Sequence, residues 1–294
     1  MPKSPPSKRT LKEAAVAYVA PTPILTTRAK PVIKWAGGKA QLISAFTPYF
    51  PNRDEIRHYY EPFIGGAAVF FYLQHPRSFL SDSNAELIEL YQTVRDNVDG
   101  LITALKKHRN DEASFYKVRA QVAKQLTPVE RAARFIYLNK TCYNGLYRVN
   151  SQGQFNAPFG NYKNPNLCDE PGLQAASLAL QTAELNVSDF EAAVAKAVAG
   201  DLVYFDPPYQ PLSKTSSFTS YTATRFDDTE QRRLASLYRE LDRRGCRVML
   251  SNSNAPLIRE LYSDFIFVEV LANRAINSKA DGRGKIVELL IINY

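Results

Sequence analysis

The tetrapeptide Asp206-Pro207-Pro208-Tyr209 combines an acid, two prolines and an aromatic side chain. The prolines fix the backbone φ angle and remove two backbone N–H donors, so the local carbonyl groups are left free to accept hydrogen bonds. Such a frame suits an amine that must attack an electrophile, because the acceptors draw the protons of the amine while the ring holds its base by stacking. The alternative for this tetrapeptide alone is a rigid turn at the end of a strand.

Two further candidates precede it in the chain. The segment Glu61-Pro62-Phe63-Ile64-Gly65-Gly66 follows a predicted strand, and its glycines would let a ligand approach the backbone closely. A packing turn is the alternative, and the dinucleotide fingerprint GxGxxG is absent because Ala67 and Ala68 follow. Asp82 ends the next predicted strand, where an acid can accept hydrogen bonds from ribose hydroxyl groups. Taken by itself, Asp82 fits better as a cap of the helix that starts at Asn84, and both roles are compatible.

The segment Lys34-Trp35-Ala36-Gly37-Gly38-Lys39 contains the one tryptophan of the chain. Its two lysines and two glycines favour a loop that faces a ligand over a core tryptophan. The phosphate-loop spacing GxxxxGK[ST] is absent, since Ala40 follows the second lysine.

The elements that must position these residues alternate along the chain. We predict strands at 57–60, 79–80, 184–187, 202–205, 247–251, 265–271 and 286–292, and helices at 67–73, 189–197, 227–244 and 255–262. This order predicts an α/β sheet domain that binds ligands at the carboxyl ends of its strands. The last two strands have no helix between them, so we expect an antiparallel hairpin at the sheet edge.

The middle of the chain differs from this pattern. Residues 84–140 are helical in pattern, and Thr127-Pro128-Val129-Glu130 has the sequence of a helix start with a capping box. A polar and aromatic loop follows at 144–166. We therefore predict a flexible basic arm at 1–30, with a short helix at 11–20, a catalytic domain at 31–83 and 177–294, and a mostly helical insertion at 84–176.

Composition limits the classes of function. The chain has 294 residues and a net charge of +8, which is compatible with a polyanionic partner. The sequence shows neither an apolar run of about 20 residues nor a signal peptide, since even the apolar stretch 286–292 is broken by Glu288. We therefore expect a cytoplasmic protein. Three cysteines and three histidines lack the spacing of metal ligands, so we expect no metal.

The order of these motifs resembles the Dam methylase family, the alpha-class (D12-type) adenine-N6 DNA methyltransferases. The resemblance covers 31–294 and rests on KWAGGK, EPFIGG, the helical insertion and DPPY. The stretches 143–150 and 154–160 are similar to the recognition loop of members that read GATC, and the tail at 274–277 and 285–290 is similar to theirs. The sequence departs from the common pattern at Ala67, where many relatives carry glycine.

This resemblance implies a Rossmann-like, S-adenosylmethionine-dependent methyltransferase sheet with an inserted target-recognition domain. It implies site-specific methylation of a flipped adenine in double-stranded DNA, and hence a cytoplasmic protein that associates with the nucleoid through DNA. Asp206, Pro207, Pro208 and Tyr209 would form the catalytic group. The residues implied to bind the cofactor are Trp35, Lys39, Glu61, Pro62, Phe63, Gly65, Gly66, Asp82 and Asp206.

The same resemblance implies the contacts with DNA. Lys34 would reach the first guanine of the site and Arg148 the later guanine, while Leu146 and Pro158 would pack on the thymine side. Tyr143 would wedge into the gap left by the adenine. Asn144 and Tyr147 belong to the same loop and are expected to bind DNA with it.

Several alternatives stay open at this point. A methyltransferase for cytosine N4 or an RNA adenine faces the same amine chemistry, although an acid before PPY favours DNA adenine. A non-catalytic DNA-binding regulator that senses S-adenosylmethionine is an alternative from another class, and the intact DPPY segment argues against it. A nicotinamide oxidoreductase would fit the glycine turn but leaves DPPY and KWAGGK without a role. A monomer or a weak dimer would suit the enzyme.

Overall fold

In a computed structural model of the chain, residues 27–150, 152–212, 226–273 and 285–294 are described. Most of the predicted N-terminal arm, with the helix predicted at 11–20, lies outside the described residues. The tail segment 274–277 lies outside them as well, whereas 285–290 is described.

The strands of the described residues build one sheet. They are β1 (Tyr59–Glu61), β2 (Ser78–Asp82), β3 (Ala183–Val187), β4 (Leu202–Phe205), β5 (Arg247–Ser253), β6 (Ile266–Asn273) and β7 (Lys285–Ile292). Their order in the sheet is β3-β2-β1-β4-β5-β7-β6. Strands β1 to β5 pair in parallel, whereas β7 pairs antiparallel with both β5 and β6. This mostly parallel sheet confirms the predicted Rossmann-like α/β class.

Helices connect and cover the strands. They are α1 (Ile43–Phe46), α2 (Ala68–Leu73), α3 (Ala85–Asp96), α4 (Val98–Leu105), α5 (Glu112–Arg119), α6 (Pro128–Thr141), α7 (Glu170–Leu180), α8 (Phe190–Ala193), α9 (Asp228–Arg243) and α10 (Pro256–Leu261). Among the described residues, every helix is too short or too polar to span a bilayer.

Strand β4 shows how the sheet is covered on both faces. All four of its residues are buried. Leu202 and Tyr204 belong to one apolar cluster, whereas Val203 and Phe205 belong to another. Successive side chains of a strand point to opposite faces, so each cluster covers one face. The polar residues that follow β4 are therefore left at the end of the sheet, where a ligand can reach them.

The last two strands form the predicted antiparallel hairpin at the edge of the sheet. Strand β7 lies inside the sheet, between β5 and β6, so the edge strand is β6. Residues 289–292 of β7 are buried, whereas Ile266 and Leu271 of β6 are exposed. A strand covered on both faces needs apolar side chains on both, which explains why β7 takes the inner position.

The stretch 84–140 is helical, as predicted, and forms α3 to α6. The capping box at the start of α6 is also confirmed: Thr127 Oγ1 accepts from the N–H of Glu130, and the Glu130 carboxylate accepts from the N–H of Thr127. Helix α3 contacts β2 and β3 as well as α6, so it links the sheet to the helical region. The division of the chain into domains stays a prediction.

Three helices differ from the sequence-based expectation. The short helix α1 lies where no helix was expected. Helix α7 lies where no helix was expected, although Asp169 caps it by accepting from the N–H of Gly172 and Pro171 stands in its first turn. These two residues are a helix-start signal that could have located it. Helix α8 ends at Ala193 rather than Ala197, because Val194 leaves the helical region with φ −109° and ψ 11°.

Candidate active site

Three carboxylates stand at the carboxyl ends of neighbouring parallel strands. Glu61 ends β1, Asp82 ends β2 and Asp206 follows β4 directly. Because β2, β1 and β4 are adjacent in the sheet, their carboxyl ends meet at one edge. Ligands of open α/β sheets bind at this edge. The structure therefore brings together the acids of three motifs that are far apart in the sequence.

The Asp206 carboxylate lies between a cation and a hydroxyl group. Lys39 Nζ is 2.6 Å from Oδ1 and 2.8 Å from Oδ2, and Ser251 Oγ donates to Oδ1 at 2.8 Å. Burial raises the pKa of Asp206 above its ordinary value, while Lys39 and Ser251 oppose that rise. Lys39 is itself only 3% exposed, so the two charges form a nearly buried pair.

The rest of the DPPY segment is held from several sides. The Tyr209 hydroxyl donates to Glu288 Oε2 at 2.8 Å, and Lys39 Nζ lies 4.7 Å from the centre of the Tyr209 ring. Gln231 of α9 donates to the carbonyl oxygen of Pro208 at 3.0 Å. Pro207 is buried. These contacts fix the acid and the ring relative to each other, which is what an ordered attack by an amine requires.

Glu61 is almost fully buried, with 2% exposure. The Tyr59 hydroxyl donates to its Oε2 at 2.8 Å. Burial raises the pKa of Glu61 to about 8, and the hydrogen bond from Tyr59 opposes the rise. A carboxyl group with this pKa is mostly protonated at neutral pH and can then donate a hydrogen bond.

The glycine turn after β1 is shaped around Trp35. Gly65 has φ +44°, and a Cβ atom there would lie 2.7 Å from Trp35 Cδ1. The turn is anchored by Tyr91, whose hydroxyl donates to the Gly65 carbonyl at 2.9 Å, and by Asp82, which accepts from the Gly65 N–H at 3.3 Å. Only glycine fits this close approach with a positive φ.

Ala67, where we expected a departure from the family pattern, has a strained backbone conformation. Its φ is +56°, in the left-handed region that favours glycine, and it is the N-cap of α2. Alanine adopts this conformation at a cost of about 1 to 2 kcal/mol. Glycine would adopt this backbone conformation without that cost.

Asp82 does not itself cap helix α3. The N-cap is Asn84, whose Oδ1 accepts from the N–H of Leu87. Asp82 accepts from the N–H of Asn84 at 3.0 Å and so holds the backbone of the capping residue in place. The capping interpretation of Asp82 is therefore corrected, because the side-chain acceptor at the helix start belongs to the asparagine. The Asp82 carboxylate stays half-buried at the sheet edge.

Trp35 joins the glycine turn to the helical region. Its ring stacks on Tyr147 at 5.6 Å and on Phe135 of α6 at 6.5 Å between centroids. The Tyr147 hydroxyl donates to Glu86 Oε2 at 2.8 Å. Both the ring and the hydroxyl of Tyr147 are thus engaged within the protein, and its contact with DNA stays a prediction.

Two residues of the cofactor motif contribute mainly to packing. Pro62 is buried. Phe63 is half-buried and packs on Phe190 at 5.5 Å and on Phe226 at 5.7 Å between centroids. Their contact with a cofactor stays a prediction, as does that of the buried Gly66.

Apart from Lys34, the predicted DNA-contacting residues lie together on an irregular loop. Two isolated bridges, Cys142 with Phe159 and Val149 with Phe155, close this loop into a compact unit. The Tyr143 N–H donates to the Pro158 carbonyl at 2.9 Å, and Arg148 donates through Nε to Asn156 Oδ1 at 2.7 Å. Lys34, Tyr143, Asn144, Arg148 and Pro158 are exposed, and Leu146 is half-buried. Tyr143, at 55% exposure, is a large aromatic side chain free to meet a partner.

Several residues of the site were not identified from the sequence. Ser251 opens the polar run 251–254, whose first three residues are buried within β5, and a polar run directly after apolar strand residues is a signal that could have found it. Glu288 interrupts an otherwise apolar strand, which is also a usable signal. Gln231 carried no such signal, because it is one polar residue among many in α9. Within the described ranges, no group of three or more His, Cys, Asp and Glu side chains could hold a metal ion.

Comparisons with known proteins agree with this geometry. The family model for the D12 class N6 adenine-specific DNA methyltransferase matches residues 35–276. The chain is 46% identical over 286 residues to the type II methyltransferase M.MjaIII of Methanocaldococcus jannaschii, covering 90% of this chain and 99% of the relative. It is 35% identical over 264 residues to the DNA adenine methylase of Escherichia coli (strain K12), covering 88% and 94%. The chain therefore belongs to the D12 class of N6 adenine-specific DNA methyltransferases.

Proposed function

We propose that this DNA adenine-N6 methyltransferase uses S-adenosylmethionine as its methyl donor and acts on a flipped adenine in GATC. The observation that carries the proposal is the Asp206–Tyr209 segment, fixed at the end of β4 beside the acids of β1 and β2. The recognition loop with its exposed Tyr143 supplies the support for a DNA target.

The residues at the sheet edge fit the cofactor. Gly65 lies so close to Trp35 that a side chain would clash, which leaves a narrow cradle with an aromatic wall. The half-buried carboxylate of Asp82 can accept hydrogen bonds from the ribose hydroxyl groups of the cofactor. Lys39 and Asp206 lie at the same edge of the sheet. The methionine end would lie against Gly65 and Gly66. When bound, S-adenosylmethionine supplies an activated methyl group on a sulfonium.

Asp206 and the carbonyl oxygen of Pro207 accept the hydrogens of the adenine N6 amine in this mechanism. Each carboxylate oxygen has two acceptor sites, so Asp206 can take one more hydrogen bond while it keeps Lys39 and Ser251. Accepting these hydrogens concentrates the nitrogen lone pair, which is otherwise delocalised into the ring. Asp206 also stabilises the positive charge that develops on N6 and accepts its proton. Fixed positioning of the reacting groups can contribute about 7 to 11 kcal/mol at best.

The adenine must leave the duplex before it can reach this segment. Flipping disrupts pairing and stacking at a cost of about a few kcal/mol. Tyr209 offers a ring on which the flipped base stacks, and the orientation of that ring is held by Glu288. Tyr143 is placed on the exposed loop, where it can fill the gap left in the duplex.

Arg148 is the most direct test of the GATC assignment. Asn156 orients its guanidinium through Oδ1 at 2.7 Å and through its carbonyl oxygen at 3.0 Å, and the side chain stays exposed. A bidentate arginine on guanine contributes roughly 1 to 3 kcal/mol of discrimination. The later guanine of the GATC duplex is the one on the opposite strand, paired with the final cytosine. We expect Arg148→Ala to spread methylation to sites in which this base pair is substituted.

Sequencing of N6-methyladenine in DNA from cells that express either form measures this directly. We expect N6-methyladenine in GATC with the wild type. With Arg148→Ala we expect it in GATC and also in sites that differ from GATC at the base pair of the later guanine. A uniform loss across all sequences would make Arg148 a phosphate contact instead. A wild-type pattern without GATC would overturn the proposed target.

A further inference from the structure

Asn139 lies near the end of α6 and uses its whole side chain on two distant segments. Its Oδ1 accepts from the N–H of Lys34 at 2.8 Å, and its Nδ2 donates to the Lys34 carbonyl at 2.7 Å and to the Gly145 carbonyl at 3.0 Å. Asn139 is 1% exposed. The one acceptor and both donors of the amide are therefore satisfied inside the protein.

The two segments joined by Asn139 also touch each other. Gly145 has φ +65°, and a Cβ atom there would lie 2.7 Å from Lys34 Cδ. Lys34 Nζ lies 5.2 Å from the centre of the Tyr162 ring, and the Tyr162 hydroxyl accepts from the N–H of Asn144 at 3.0 Å. The Lys34 segment and the Tyr143–Gly145 turn thus form one rigid unit.

We propose that Asn139 is a positioning residue for DNA sequence recognition, which rests on the proposed function. It fixes the backbone of Lys34 at a set distance from the Tyr143–Gly145 turn. The side chains of both segments can then reach their own base pairs of the target site at the same time. Base edges are distinguished by hydrogen bonds of defined geometry. If this spacing is loosened, the discrimination between GATC and substituted sites falls more than the affinity for DNA does. The phosphate contacts supply most of that affinity, and they tolerate small shifts of the protein backbone.

The chemistry of the contact requires asparagine. Aspartate keeps the acceptor for the Lys34 N–H but loses both donors, and it brings a negative charge towards two carbonyl oxygens. Alanine leaves the N–H and the carbonyl group of Lys34 and the buried carbonyl group of Gly145 without this partner. Both substitutions therefore release the Gly145 turn from the Lys34 segment, although aspartate nearly preserves the side-chain volume.

The test compares kcat/KM for GATC duplexes with kcat/KM for duplexes substituted at the first guanine, the base assigned to Lys34. We expect Asn139→Ala to lower this discrimination roughly tenfold or more, which corresponds to about 1.4 kcal/mol. Asn139→Asp should have the same effect and serves if the alanine variant does not fold. Thr141→Val is the matched control and should keep wild-type discrimination. It removes a buried hydroxyl of the same helix whose one hydrogen bond within the described residues goes to the Tyr137 carbonyl.

A second measurement separates positioning from general stability. In a Lys34→Ala background, Asn139→Ala should change discrimination at the first guanine by less than twofold, because the contact that it positions is already absent. An equal loss of activity on all sequences, additive with Lys34→Ala, would overturn the inference. If the wild type itself does not distinguish GATC from substituted sites, the proposed target fails rather than the role of Asn139.

Discussion

The Asp206 side chain meets two opposing demands. Burial beside the sheet raises its pKa, whereas the Lys39 ammonium and the Ser251 hydroxyl favour the charged form. Replacing it by alanine would leave Lys39 nearly buried without its partner, and breaking such a pair costs about 3 to 5 kcal/mol. Asp206→Asn also removes the charge, but it keeps the shape and an amide oxygen that can accept from Lys39, so it is the better variant for mechanism.

Glu61 makes the stability of the protein depend on pH. Its pKa rises from an ordinary 4.5 in the unfolded chain to about 8 in the folded protein. Between these two values the folded state binds more protons than the unfolded state, so the contribution of Glu61 to stability is lost as the pH rises. We expect the free energy of unfolding of the wild type, relative to Glu61→Gln, to fall by up to about 1.4 kcal/mol per pH unit in this window.

Urea unfolding at a series of pH values from 5 to 9 measures this difference. The control is Glu184→Gln on β3, where the glutamate is exposed, and it should follow the wild-type curve. Parallel curves for wild type and Glu61→Gln would show that Glu61 ionises normally in the folded protein.

At the scale of elements, the glycine turn after β1 sets the shape of the cofactor cradle. Gly65→Ala adds a Cβ atom 2.7 Å from the Trp35 ring at a φ of +44°, so the turn or the ring must move. Gly66→Ala is the matched control, because its Cβ would meet Trp35 Cβ at 3.3 Å without a positive φ. We expect Gly65→Ala to weaken S-adenosylmethionine binding at least about tenfold, which is about 1.4 kcal/mol, and Gly66→Ala to weaken it less.

Trp35 is the one tryptophan, so its fluorescence reports on the cradle in a cofactor titration. Equal affinity of Gly65→Ala and wild type would contradict the close fit of this turn.

The capping box of α6 contributes a local and separable amount of stability. Thr127→Ala removes the acceptor for the Glu130 N–H and should lower the free energy of unfolding by about 1 kcal/mol, whereas Thr127→Ser should keep most of it. The midpoint of urea unfolding measures the change at constant m-value. An unchanged midpoint would mean that packing of α6 alone fixes its start.

Elements with local signals were predictable from the sequence. The capping box at Thr127, the strand before Asp206 and the hairpin of β6 and β7 all follow from periodicity and caps within short windows. The contacts of Ser251, Glu288 and Asn139 were not predictable in this way. Their partners lie 45, 79 and 105 residues away in the chain, so these pairings exist only once the strand order and register are set.

At the scale of the whole molecule, one aromatic residue connects the two functional regions. Trp35 touches the Gly65 turn at the sheet edge and stacks on Tyr147 of the recognition loop. Its neighbour Lys34 is joined to the same loop through Asn139. In the proposed function, recognition and catalysis are therefore connected through two consecutive residues, in a chain whose net charge of +8 favours association with DNA.

The central claim is transfer of a methyl group from S-adenosylmethionine to adenine N6 beside Asp206. The purified chain should be incubated with methyl-labelled S-adenosylmethionine and a GATC duplex, and the DNA digested to nucleosides for mass spectrometry. We expect the label in N6-methyladenine with the wild type, and at least about a hundredfold less with Asp206→Asn, the size of effect seen when a key charge-stabilising group is removed. Label in N4-methylcytosine, no label in DNA, or equal transfer by Asp206→Asn would contradict the account.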